Sequence, residues 1–453
     1  MIKKILIFLI PIVLVFAYGF KPKDKPTRTN TGNNGNIQDR ILTNPNQVAA
    51  VDSKKLDANQ ISTWFRTNGS FNRDPSTGNA GFEWPKKQSK FARYASGIWI
   101  GAVVGGDTLL CIAEYDYEYL PGYVDDNGNP QGKDDPNYRL YNISSTDTSD
   151  YTAWRTIASQ QGAYLDSLGN PLLLGSQTQF YSYTDGYPEA HGNNAGQTAP
   201  LKAVILQTNW SYAVNGPLSS MAFSEFRIIN RHNLPWTQCY IALWTDDDLG
   251  VSTDDAVSVD TSLNLGMTYN FASIDPDYGI PPAVGFDYFR GPIIPGTQDD
   301  TVKYYSPPGS NNLVIKPGFK VLGVTAFNMY TNGNPSVGDP SNPTEAYGNL
   351  RGIRRDGTPW INPLTNQVTT YAFLGNPANG TGWNESDQGD RRFMQCSGPL
   401  EVQPNDTQSI VVAQVIARGS TNLESVRALY QADALAQRIF DNNFQVPDAA
   451  PCP

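Results

Sequence analysis

Histidine and long apolar runs are scarce in this sequence, and each scarcity excludes a class of protein. With two histidines in 453 residues, the chain cannot build a zinc site from several imidazoles. It contains no G-x-S-x-G, P-loop, G-x-G-x-x-G before a helix, C-x-x-C or H-E-x-x-H motif, which removes the commonest enzyme classes. Beyond residue 19, no apolar run is long enough to span a bilayer.

Cysteine is also rare, since only Cys111, Cys239, Cys396 and Cys452 are present. In an exported chain four cysteines allow disulfides in three connectivities. Cys111 and Cys239 lie in apolar segments, and a large domain with a real core does not need disulfides, so buried free thiols are an equal alternative.

Acidic residues outnumber basic residues by 43 to 33, which gives a formal net charge of -10. Such a chain has no electrostatic reason to bind nucleic acid or an anionic membrane surface. Calcium ions or neutral glycans are partners that suit this charge better.

The ends of the chain differ in composition from its middle. Residues 1–19 have the pattern of a secretory signal peptide, with Lys3 and Lys4 before an apolar stretch and small residues near residue 19. This pattern predicts a secreted, extracellular or cell-surface protein. Residues 20–55 are predicted to form a flexible linker or N-terminal arm, and residues 441–453 a Pro-rich tail.

The middle, residues 56–440, is predicted to be all-β. Forty glycines, 33 prolines and 24 tyrosines favour turns and strands over helices. We expect an antiparallel β-sandwich, either one large sandwich or two packed lobes divided near residue 215, with long Gly/Pro/Asn loops. Segments 201–214, 220–230 and 237–245 are predicted to form a three-stranded meander.

A C-terminal helix is predicted to dock on the sheet. Thr421 and Glu424 have the spacing of a capping box. The apolar residues that follow recur on one helical stripe: Val426, Leu429, Ala432, Ala436, Ile439 and Phe440.

The most informative stretch is residues 239–260, where an apolar strand runs into a loop rich in carboxylates. Both faces of the strand are apolar, so we expect it near the middle of a sheet. Gly250 permits a tight turn that folds the acids back on one another. Because calcium takes six to eight oxygen ligands, we predict a Ca²⁺ site. Its predicted ligands are Asp246, Asp248, Asp254, Asp255 and Asp260, and the alternative is a solvated acidic loop.

A second loop, residues 180–192, has the composition of a binding site. Its acids and histidine could ligate a metal, and its tyrosines could flank a sugar or a peptide. The candidate ligand-binding residues are Tyr183, Asp185, Tyr187, Glu189 and His191. The alternative is a loop held in place by aromatic packing.

Glu114, Asp116 and Glu118 are predicted to share one face of the second strand of a hairpin at residues 98–119. Carboxylates about 7 Å apart along a strand are compatible with a glycoside hydrolase. The alternative is the solvated face of an amphipathic strand. We assign no residue a catalytic role.

Residues 64–85 have the sequence WFRTNGSFNRDPSTGNAGFEWP. This stretch resembles a family of large secreted bacterial surface proteins of unassigned function. The same resemblance is found in segments 113–122, 181–192, 244–260 and 390–399. The resemblance extends over nearly the whole chain after residue 56. Its members often carry fibronectin-like or immunoglobulin-like modules and a type IX secretion sorting tail. The resemblance implies an exported surface protein and provides no catalytic residue.

These observations predict an exported structural or adhesive protein, at the surface or in a filament, with a calcium-stabilised β scaffold. Its partner would be another copy of itself or a cell-surface glycan. An extracellular glycan-binding module is the alternative, followed by a carboxylate-dependent glycoside hydrolase.

Overall fold

The computed structural model describes residues 51–445. The predicted signal peptide, residues 20–50 of the predicted linker and residues 446–453 of the predicted tail lie outside the described residues. Strand β1 begins at Ser53, slightly before residue 56, where the sequence placed the start of the sandwich.

The described strands are β1 Ser53–Leu56, β2 Thr63–Arg66, β3 Ser70–Phe71, β4 Phe82–Glu83, β5 Phe91–Arg93, β6 Ala95–Val104, β7 Asp107–Ile112, β8 Leu120–Pro121, β9 Tyr123–Val124, β10 Pro130–Gln131, β11 Tyr141–Ser144, β12 Gln177–Thr184, β13 Ala203–Ser211, β14 Met221–Asn230, β15 Trp236–Asp247, β16 Asp255–Asp260, β17 Leu265–Asn270, β18 Ala283–Arg290, β19 Ile293–Pro295, β20 Thr301–Tyr305, β21 Leu313–Pro317, β22 Phe319–Val321, β23 Ala326–Thr331, β24 Trp360–Asn362, β25 Gln367–Thr369, β26 Gly375–Asn376, β27 Thr381–Gly382, β28 Arg391–Val402 and β29 Thr407–Ala417. The α-helices are α1 Tyr151–Thr156, α2 Pro343–Leu350 and α3 Asn422–Asp441.

Two antiparallel sheets contain the long strands. The first sheet has the order β1-β2-β3-β6-β15-β28-β23, and β7 also pairs with β6. The second sheet has the order β11-β12-β13-β14-β29-β18-β17-β16, and β8 also pairs with β12. The all-β antiparallel sandwich predicted from the sequence is confirmed. Each sheet takes strands from both sides of residue 215, so a division there would separate hydrogen-bonded neighbours.

One apolar cluster fills the space between the sheets. Its members from the first sheet include Ile98, Ile100, Cys239, Ile241 and Leu243, and those from the second include Tyr181, Ile205, Phe226, Ile228 and Val412. Full burial of one such side chain contributes about 1.5–3 kcal/mol. The cluster therefore accounts for the cohesion of the two layers.

Strand β15 is central in the first sheet, as its apolar faces predicted. It pairs with β6 on one side and β28 on the other. Cys239, Ile241 and Leu243 point into the space between the sheets. Tyr240 and Trp244 point outward into a second apolar cluster that also includes Ala346 and Leu350 of α2.

The prediction of a three-stranded meander was wrong for its third strand. β13 and β14 are antiparallel neighbours, but β15 crosses to the first sheet, and the other neighbour of β14 is β29. The side-chain amide of Asn230 holds the crossing segment by donating to the backbone carbonyls of Leu234 and Val402. Alternating apolar residues indicate which face of a strand is buried, and that pattern is the same in either sheet.

Helix α3 confirms the predicted C-terminal helix. The Thr421 side chain accepts a hydrogen bond from the backbone N–H of Glu424 at 3.1 Å. The apolar stripe packs on the outer face of the second sheet, with Val426, Leu429, Ala432 and Ala436 buried and Ile439 and Phe440 partly buried.

Three of the four cysteines are described, and all three are buried free thiols: Cys111, Cys239 and Cys396. Cys452 lies outside the described residues. Among the described helices, none combines the length and the apolar character that crossing a bilayer requires.

Candidate metal site

The end of β15 separates its three consecutive aspartates onto different faces. Successive side chains of a strand point to opposite faces, so Asp246 follows Trp244 on the outer face of the first sheet. Asp247 follows Thr245 into the interior. Asp248 comes just after the strand ends and returns to the side of Asp246.

The register with β28 brings a third carboxylate to this place. Asp246 lies opposite Arg392, and Asp247 lies opposite Arg391. Asp390 directly precedes β28 and continues this pairing towards Asp248. Carboxylate oxygens of Asp246, Asp248 and Asp390 lie within 4.8 Å of one another, which is the one such cluster in the described part of the chain.

Arg392 supplies the positive charge nearest to the cluster. Its Nε lies 3.3 Å from Oδ1 of Asp246 and 3.5 Å from Oδ1 of Asp339, and its Nη1 lies 3.5 Å from Oδ1 of Asp390. Nε also donates to the hydroxyl of Tyr115 at 2.6 Å, and that hydroxyl donates to Oδ2 of Asp246 at 2.5 Å. One guanidinium therefore faces three carboxylates, and the carboxylate of Asp248 lies beside two of them.

This excess of negative charge is partly buried. Asp246 is 3% exposed, whereas Asp248 and Asp390 are partly open to solvent. Burial raises the pKa of Asp246 well above its usual range, Arg392 opposes this shift, and Asp248 and Asp390 add to it. Oδ1 of Asp246 is buried and accepts no hydrogen bond. A cation at this position would offset the repulsion among the three carboxylates.

Asp247 takes part in a different interaction. Its Oδ1 lies 3.5 Å from Nε of Arg93, and both side chains are fully buried. The hydroxyls of Thr245 and Thr268 donate to its two oxygens at 2.7 Å each. Burial lowers the pKa of Arg93 to about 10, and Asp247 opposes that shift. This pair is internal to the sandwich and not available to a ligand.

The remaining predicted ligands do not join the cluster, which corrects the predicted ligand set. Asp254 accepts from the side-chain amide of Asn270 at 2.7 Å. Asp255 is fully buried and accepts from the backbone N–H of Leu249 at 3.3 Å. Asp260 caps a turn by accepting from Ser262. Each of these carboxylates satisfies a local donor.

Gly250 does form a tight turn, with φ of +75°, a region that favours glycine. The carboxylate against it is that of Asp275, which accepts from the backbone N–H of Val251 at 2.9 Å. The turn therefore brings in an acid from outside residues 239–260 and does not gather the predicted ones.

The loop that carries the second predicted site is anchored through buried polar groups. Asp185 is fully buried, and its carboxylate accepts from the backbone N–H groups of Leu201 and Ala203 at 2.6 Å each. Nε2 of His191 lies 3.4 Å from Oδ2 of Asp185, and its Nδ1 lies 3.7 Å from Oε2 of Glu118. Burial lowers the pKa of His191, but the two carboxylates outweigh burial and raise it to about 9.

The other three candidates of this loop are also engaged. Tyr183 is fully buried and donates to Oε1 of Gln207 at 2.8 Å, so it cannot flank a ligand as predicted. The Tyr187 hydroxyl accepts from the backbone N–H of Lys133 at 3.0 Å. Glu189 forms an ion pair of 2.6 Å with the same lysine. This loop supports the neighbouring segment around Lys133.

The predicted row of carboxylates on β7 is not present, because the strand ends at Ile112. Beyond it the chain turns, and the backbone N–H of Glu114 donates to the carbonyl of Asp116. Glu118 turns back and accepts from the backbone N–H of Ile112 at 3.1 Å. Burial raises the pKa values of Glu114 and Glu118 to about 8 each.

Sequence reasoning missed Asp390, Arg392, Tyr115 and Asp339 as members of the site. The signal for Asp390 and Arg392 was their two-residue spacing, which places both on one face of a strand. That signal becomes informative only once β28 is known to lie beside β15.

Comparisons with known proteins do not add a function. No model of a known protein family matches the chain, and no curated protein matches its sequence.

Proposed function

We propose that this chain is an exported structural or adhesive surface protein whose β scaffold is stabilised by calcium at Asp246, Asp248 and Asp390. The observation that carries the proposal is the convergence of these three carboxylates, whose oxygens lie within 4.8 Å of one another. Calcium prefers carboxylate, carbonyl and water oxygens, and the partly open side of the site leaves room for water ligands.

The position of the cluster gives calcium a structural role. It connects the ends of β15 and β28, which are neighbours in the middle of the first sheet. Removing the charge repulsion there stabilises the sheet without any substrate. Export is supported by the signal-peptide pattern of residues 1–19.

The test is thermal unfolding of residues 20–453 in calcium and in excess EGTA. A ligand that binds only the folded state raises stability by about 2.7 kcal/mol at one hundred times its Kd. We expect calcium to raise Tm by about 2–6 °C. Static light scattering on the same samples measures whether copies assemble, as expected of a filament-forming protein.

The matched variants are Asp246→Asn and Asp260→Asn. Asp246→Asn removes a ligand charge and is expected to abolish the calcium-dependent shift. Asp260→Asn removes an acid of the same stretch that lies outside the cluster, so it should retain the shift. Equal Tm values with calcium and EGTA in the unsubstituted chain would refute the calcium proposal.

A further inference from the structure

The outer face of the second sheet carries a cleft of about 540 Å³. Helix α3 covers the part of this face that includes Trp210 and Phe223. The cleft lies on another part, where the outward side chains Val204, Leu206 and Ile229 are among its lining residues. Its volume lies within the range of about 300–1,000 Å³ usual for small-ligand sites.

Two stacked tyrosines contribute to the lining of the cleft. The rings of Tyr123 and Tyr138 have centroids 5.5 Å apart and an interplanar angle of 22°. Tyr123 is 38% exposed, so part of its ring is open to a ligand. An exposed ring with a polar hydroxyl can pack against an apolar surface and hydrogen-bond at its edge.

The backbone around these tyrosines is shaped to hold them. Tyr123 lies in β9, opposite Gln131 of β10. Gly132 follows with φ of +104°, and a Cβ atom there would lie 2.8 Å from Cδ2 of Tyr138. The loop anchored by Asp185 supports this ribbon, since Tyr187 binds the backbone of Lys133.

Amide side chains provide the polar groups of the cleft. Nε2 of Gln161 donates to the backbone carbonyl of Asn137 at 2.8 Å, which fixes the amide. Oε1 of Gln161 is buried and accepts no hydrogen bond. Gln160 and Asn137 line the same cleft and are exposed, so their amides are open to a ligand with hydroxyl groups.

The charges of the cleft disfavour an anionic ligand. Arg231 is engaged by Asp126 and Asn405 at 2.6 Å each and by the carbonyl of Val124 at 3.2 Å. Asp135 adds a carboxylate to the lining. The chain as a whole carries a net charge of -10.

The cleft combines an exposed aromatic ring with exposed amides, and its arginine is compensated, which describes a site for a neutral polyhydroxylated molecule. We propose that this cleft binds a neutral saccharide, with a sugar ring against Tyr123 and sugar hydroxyls bonding to the exposed side-chain amides of Gln160 and Asn137. This proposal is independent of the calcium site.

The experiment is isothermal titration of residues 20–453 with the neutral probes cellohexaose, maltohexaose, xylohexaose and mannohexaose. Heparin hexasaccharide serves as the anionic probe. We expect at least one neutral probe to bind and the anionic probe not to bind. Tyr123→Ala should weaken that binding at least tenfold, and Gln160→Leu at least fivefold. Tm of each variant verifies that it is folded.

Phe271→Ala is the matched control, because Phe271 is an aromatic residue 44% exposed that does not line the cleft. It should bind the saccharide with unchanged affinity. The proposal is overturned if no neutral probe binds at millimolar concentration, if only heparin binds, or if Tyr123→Ala binds equally well. Repeating the titration in EGTA separates the two proposals, since saccharide binding should persist there.

Discussion

Several carboxylates in this protein are buried because they satisfy backbone donors or ion pairs inside the fold. Asp185 accepts from the N–H groups of Leu201 and Ala203, and these two contacts hold the chain as it enters β13. Asp247 is buried against Arg93 between the sheets. Asp246 differs from both, because its carboxylate converges with those of Asp248 and Asp390. At the scale of the residue, this difference separates a candidate ligand from a structural acid.

We predict that Asp185→Asn lowers the free energy of unfolding by about 2 kcal/mol. The amide keeps the shape of the carboxylate but places an N–H₂ group against a backbone donor, and a hydrogen bond to a charged group contributes about 1.5–3 kcal/mol. Urea denaturation at pH 7 measures the change. Asp134→Asn, at an exposed position, should stay within about 0.5 kcal/mol of the unsubstituted protein. Equal urea midpoints for the two variants would contradict the anchoring role.

At the scale of the element, helix α3 combines an apolar stripe with one buried acid. Asp433 is 1% exposed and faces Asp287 of β18, which is fully buried. Burial raises the pKa of Asp287 well above its usual range, and the neighbouring Asp433 raises it further. Burial also raises the pKa of Asp433. The helix therefore docks most favourably when the pair is protonated.

The pair predicts a pH dependence of stability. Because both pKa values are raised in the folded state, the contribution of the pair is fully present below the ordinary Asp pKa of about 3.9 and is lost as pH rises through the folded-state values. Asp433→Asn keeps a hydrogen-bond donor towards Asp287 without the charge. We expect it to raise the free energy of unfolding at pH 8 by about 1–3 kcal/mol.

Urea denaturation between pH 4 and pH 8 provides this measurement. The advantage of Asp433→Asn should shrink towards pH 4, where the unsubstituted pair regains its proton. Asp441 lies at the exposed end of the same helix. The control variant Asp441→Asn should therefore show no pH-dependent gain in the free energy of unfolding. The measured quantity is the free energy of unfolding of Asp433→Asn minus that of the unsubstituted protein. If this difference is smaller at pH 8 than at pH 4, the protonated pair is contradicted.

At the scale of the whole molecule, strands distant in the sequence alternate within each sheet. β6 lies beside β15, and β15 lies beside β28. In the second sheet β29 separates β14 from β18. Neither layer is complete until the last strands of the chain are present.

This interleaving predicts that fragments 20–215 and 216–453 do not fold separately. Each fragment lacks central neighbours in both sheets and would expose apolar faces that the intact protein buries. Far-UV circular dichroism and thermal melts of the separate fragments should show no cooperative transition, and refolding them together should restore one. A cooperative melt of either fragment alone would favour the two-lobe organisation instead.

The sequence by itself determined the features that depend on local periodicity: the all-β class, the apolar faces of the central strand and the cap and stripe of helix α3. Its prediction of the acidic site was partial, since Asp246 and Asp248 converge but Asp254, Asp255 and Asp260 do not. Only the tertiary structure decided that β15 joins the first sheet and that Asp390 lies next to Asp248. The physical reason is that alternation defines the faces of a strand, whereas its neighbours depend on contacts between distant segments.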